Sequence, residues 1–154
     1  MRNPMLQINF TNALLPIEVA SVGLNQTRKQ TLAMIAAREL SWCFDLALES
    51  RSEIRVLAQE LARVQGHASR VPDFTTAVKL IFPDAPQARL AVIAKLPLSV
   101  VARRLAVSSD HALGLMREGW LEAVSNTRCR RGPGGSPEVT FASVVEFLKR
   151  RRIA

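Results

Sequence analysis

The sequence predicts a mainly α chain in two parts. A helical N-terminal region covers residues 1–95, and a C-terminal unit covers residues 96–154, with two short helices, a β-hairpin and a closing helix. Three observations predict this. Apolar residues recur at three- and four-residue spacing over much of residues 28–64. Thr, Ser and Gly stand where those patterns start and stop. Near the C-terminal end a glycine- and arginine-rich stretch, 126–136, separates two short runs of strand character.

The elements follow in order. Leu6, Ile8 and Phe10 alternate with polar residues and predict a short strand, and Pro16 and Gly23 break the stretch after it. Thr27 is placed to cap a long helix whose face carries Leu32, Ile35, Leu40, Phe44 and Leu48. Ser50 and Glu53 have capping-box spacing and predict a second helix, with Ile54, Leu57, Ala58, Leu61 and Val64 inward and Gly66 as its stop. Residues 67–73 connect to a third helix, 74–82, ended by Pro83 and Pro86. A fourth is expected over 87–96. No internal repeat is expected. The apolar face of residues 28–64 is large for its region and predicts pairing of two copies through the N-terminal helices.

In the C-terminal unit, residues 98–105 form a short helix in which Ala102 leaves room for a close neighbour. Residues 106–108 turn, with Val107 inward and Ser108 or Ser109 capping a second helix over 109–118. Ala112, Leu115 and Met116 take its buried face, and Gly119 ends it in left-handed geometry. Residues 120–124 and 137–140 pair as a hairpin. Residues 141–152 close the unit, with Val144, Val145, Phe147 and Leu148 inward and a basic end at Lys149, Arg150, Arg151 and Arg152.

Composition bounds the function. An apolar content of 48% in 154 residues supports a real core and excludes a disordered tail. The net charge of +8 makes nucleic acid the first partner to consider and an anionic membrane the second. No apolar run is long enough to span a bilayer, and no signal-peptide order opens the chain, so a cytoplasmic protein without membrane contact is expected. Cys43 and Cys129 lie far apart, without disulfide or zinc spacing. No catalytic activity, cofactor or metal is expected. Gly132-Pro-Gly-Gly135 lacks the lysine and hydroxyl of a phosphate loop, and His67 and His111 have no triad context.

Residues 96–152 resemble the winged helix-turn-helix domains of the excisionase and MerR-type families. The resemblance rests on Ala102-Arg-Arg-Leu-Ala-Val-Ser108, Leu115-Met-Arg-Glu-Gly119, Leu121-Glu-Ala-Val124 and Val139-Thr-Phe-Ala-Ser-Val-Val-Glu-Phe-Leu148. It implies a DNA-binding transcription regulator. The 109–118 helix would lie in the major groove, with Ser108, Ser109, Asp110 and His111 toward bases and phosphates and Arg117 on a phosphate. Arg128, Arg130 and Arg131, in the wing 126–136, would follow the minor groove or backbone. Arg103 and Arg104, and Lys149 and Arg150, would add backbone contacts. The alternatives are an excisionase of a mobile element, partnered by an integrase, and a protein-interaction module that has lost DNA binding. The sequence departs from the pattern at Gly114, where a long polar side chain is usual, and at Trp120, where a cation is common.

Overall fold

The computed structural model describes residues 12–48, 51–84, 94–124 and 137–154. The expected strand at 6–10 and most of the expected helix at 87–96 lie outside them, as does the wing 126–136. The fold is mixed α/β rather than mainly α, because the N-terminal half contains a sheet. Three antiparallel strands, β1 (Leu14–Pro16), β2 (Cys43–Asp45) and β3 (Ile54–Leu57), lie in the order β1-β3-β2. Around them stand α1 (Ile17–Gly23), α2 (Arg28–Ala36), α3 (Ala58–Val64) and α4 (Phe74–Ile81). The second half comprises β4 (Lys95–Pro97), α5 (Leu98–Arg104), α6 (Ser109–Arg117), β5 (Glu138–Thr140) and α7 (Phe141–Arg151).

Two helix expectations are therefore corrected. The helix starting at Thr27 does not run to Leu48. It stops at Ala36, and Arg38 takes positive φ (59°) to turn the chain into β2. The helix expected from Ser50 begins only at Ala58, because residues 54–57 are strand β3. The physical reason is that the first sheet is buried on both faces. Leu15, Cys43, Ile54 and Val56 face a core shared with Ile17, Ala20, Ile35 and Leu61. Leu14, Phe44 and Leu57 face a second core built with Val101, Leu105, Leu115 and Phe147 of the C-terminal half. A strand buried on both faces loses the apolar–polar alternation that identifies it, and its continuous apolar run reads equally well as helix. The same burial takes up much of the apolar face of residues 28–64, while Val64 stays exposed. Ile35, Leu40, Phe44, Leu57 and Leu61 are all buried within the chain itself.

The two halves also repeat one design, contrary to the reading of no internal repeat. Each runs strand, helix, turn, helix, a segment bridged to the next strand, and then that strand pairing back on the first: Leu15 opposes Val56, and Leu96 opposes Val139. Thr27 and Ser108 cap the second helix of each half, each hydroxyl accepting an N–H at 3.1 Å, from Gln30 and His111 respectively. Asn25 and Ala106 occupy the turn at φ 54° and 55°, and Arg38 and Gly119 end the second helix at φ 59° and 83°. Between the paired helices the contact is made by Ser21 and Thr31 hydroxyls, 2.8 Å apart, in the first half. In the second, buried Ala102 and Ala112 stand at the same places. Sequence identity at matching positions is sparse: Ala13 with Ala94, Leu15-Pro16 with Leu96-Pro97, Val19 with Val100, Leu24 with Leu105, Leu32 with Leu113, Leu40 with Leu121 and Val56 with Val139. The turn residues differ, so the punctuation that marks a repeat is missing.

Several local expectations hold. Residues 98–104 and 109–117 are helices, Gly119 is left-handed, and helix 141–151 closes the chain on Val144, Phe147 and Leu148. Residues 122–124 approach β5, with Val124 N–H donating to Glu138 O and Thr140 N–H to Glu122 O, both at 2.9 Å. The longer partner of β5 is β4, whose residues were expected to end a helix.

Candidate nucleic-acid interface

A helix about 10 Å across can enter the DNA major groove if its outer face is clear of its own protein. The second helix of each half is the element to examine.

In the C-terminal half, α6 presents Ser109 and Asp110 in its exposed first turn and Arg117 exposed at its end. The middle of that face is not clear. Leu46 and Leu48, which follow β2 in the N-terminal half, lie against it. His111 Nε2 donates to Leu46 O at 2.6 Å. A Cβ added at Gly114 would stand 2.5 Å from Leu48 Cδ1. Gly114, which departs from the family pattern at a reading position, is thus where a leucine of the other half closes on the helix. Arg55, on β3, reinforces the joint. Its guanidinium is buried, donates from Nη2 (2.8 Å) and Nε (3.2 Å) to Ala106 O in the α5–α6 turn, and meets Glu53 at 3.3 Å.

The remaining sequence-derived candidates are spread over the surface. Arg103 is exposed on α5, while Arg104 is partly covered and stands 3.6 Å from Asp84. Ser108 is engaged as the cap of α6. Lys149 and Arg150 are exposed on α7, with Arg150 3.1 Å from Glu146. Arg128, Arg130 and Arg131 lie outside the described residues. The last two arginines of the basic tail are used internally. Arg151 stacks over Trp120 at 4.3 Å, and Arg152 over Trp42 at 3.8 Å. Trp120, where a cation is common in the resembled families, is thereby paired with one.

In the N-terminal half, α2 is arranged differently. Arg28, Lys29, Gln30, Ala33 and Ala36 are exposed, while Thr31 and Ile35 take the inward face. Gln30 and Ala33 stand where His111 and Gly114 stand on α6, yet they are open to solvent. Thr27 and Gln30 form a reciprocal capping box that fixes the first turn. Arg28 has one distant partner, Glu18 at 3.6 Å, in an exposed pair that constrains it little. The sequence does not announce this surface, because the apolar spacing from Leu32 to Leu48 reads as one long helix with no stop at Ala36. The signal available was the dense cation–amide order Arg28-Lys29-Gln30 behind an N-cap.

Burial, then the Glu60 carboxylate, pushes the Cys43 thiol up to about 12, with Arg152 opposing, so the thiol is not a nucleophile at neutral pH. Glu60 is itself buried and paired with Arg63 at 2.7 Å. Among the described residues, no helix is long and apolar enough to cross a membrane, and no cluster of metal-ligating side chains occurs. No known protein family, curated protein or solved structure matches this chain.

Proposed function

We propose that this chain binds duplex DNA as a transcription regulator built from two fused winged helix-turn-helix units. One observation carries the reading. A strand–helix–turn–helix unit closed by a returning strand occurs twice, with matching hydroxyl caps and matching left-handed turn geometry, in a chain of net charge +8. Each unit packs its second helix closely against the first, which fixes its direction for insertion into a groove. The exposed cations on α2, α5, α6 and α7 supply the phosphate contacts.

The reading is tested by titrating a labelled duplex at two salt concentrations. If about six cations neutralise phosphates, affinity falls by roughly 10³ between 50 and 200 mM salt. A chain that holds no duplex at low salt would instead be a protein-interaction module. The sealed face of α6 is the observation that favours this second reading, because it shows a second helix used for protein contact.

A further inference from the structure

Resting on the reading of the chain as a duplex-binding protein, we infer that the sequence-reading helix is α2 of the N-terminal half, and that α6 serves as the seat on which that half is mounted. The two helices share a cap, a length and a left-handed exit, so the difference between them lies in what covers them. On α6 the face at positions 111 and 114 is closed by Leu46 and Leu48. That contact belongs to a core shared by both halves, in which Phe44, Leu46 and Leu57 pack with Val101, Leu105 and Leu115, so it is not a loose flap. On α2 the matching positions, Gln30 and Ala33, are exposed, and none of the described residues closes them as Leu46 and Leu48 close α6.

The chemistry of the open face fits a major groove. Arg28 and Lys29 carry charge complementary to phosphate or to guanine acceptors, and Gln30, whose Oε1 is held by the Thr27 N–H, keeps its amide N–H groups to offer a base acceptor. Ala33 and Ala36 are short, so the helix can approach the groove floor and meet thymine methyl groups. The first turn of α6 offers Ser109 and Asp110 instead, and the carboxylate of Asp110 is repelled by phosphate.

The experiment uses the full chain and a duplex selected by it from a random pool, with a scrambled duplex as control. Two variants are compared, R28A/K29A/Q30A on α2 and S109A/D110A on α6. The α2 variant is expected to lose at least about tenfold in preference for the selected duplex, and about two units of salt slope. The α6 variant is expected to keep its preference. Lys29→Gln and Gln30→Ala, each at an exposed position, serve the same comparison should the triple variant unfold. Retained preference in the α2 variants, or its loss only in the α6 variant, overturns the assignment while leaving duplex binding in place. Failure of the unaltered chain to hold any duplex removes the underlying reading, and the assignment with it.

Discussion

His111 Nε2 lies 2.6 Å from the main-chain oxygen of Leu46, joining the first turn of α6 to the chain leaving β2. The contact spans the two halves and gives a partly buried carbonyl its donor. Replacing His111 with Phe leaves that oxygen without this partner and should cost about 1 kcal/mol. Urea denaturation should show a lower midpoint at unchanged slope, and the salt dependence of duplex binding should stay as it was. A changed salt slope with unchanged stability would place His111 at the DNA instead.

Gly114 and Leu48 should behave as a coupled pair. On a free helix surface Gly→Ala stabilises by about 1 kcal/mol through backbone propensity. Here the new methyl meets the tip of Leu48, so Gly114→Ala should be neutral or destabilising. In a Leu48→Ala background the same change should recover its stabilising sign. A double-mutant cycle by chemical denaturation should show coupling of at least about 0.5 kcal/mol. Independent effects would mean that the α6 face is open.

Arg38 and Gly119 end equivalent helices with the same handedness, and should respond in opposite directions. Gly119 has space for a methyl but sits at φ 83°, so Gly119→Ala should destabilise by about 1 kcal/mol or more from backbone strain alone. Arg38→Gly relieves such strain at φ 59° and should be neutral or stabilising, despite the greater freedom it gives the unfolded chain. Thermal melts of both variants decide the point.

Cys43 makes the fold sensitive to alkali. Its thiol is held near 12 in the folded chain, above its ordinary value of 9.0. The folded state therefore keeps a proton that the unfolded state releases between those values. The resulting stability is fully present below about pH 9 and is lost as pH rises toward 12. Urea midpoints followed across this range should fall more steeply for the native chain than for Cys43→Val, and equal slopes would contradict the burial argument.

Legibility followed solvent exposure. The C-terminal half was readable because its turns carry explicit punctuation: Ser108 as cap, Gly119 as left-handed stop, and a closing helix with apolar residues at regular spacing. The N-terminal half hid its strands, because Ile54, Val56 and Leu57 are buried whichever face they take. It also hid its helix end, because Arg38 takes the left-handed role without being Gly or Asn. Among site residues, Arg103, Arg117 and Lys149 are exposed. The occlusion of α6 depends on Leu46 and Leu48, more than 60 residues away in sequence, and no local pattern encodes such a pairing.

The contact of Arg152 with β2 has a kinetic consequence. Phe44 pairs with Arg152, Ile153 N–H donates to Cys43 O at 2.8 Å, and Cys43 N–H donates to Ala154 O at 3.2 Å. Until that segment arrives, β2 offers an open row of main-chain donors and acceptors to any passing strand. Closing it joins Phe44 to Arg152, far apart in sequence, so it should come late in folding. During refolding at high concentration, the outer edge of this first sheet is where association between chains would begin.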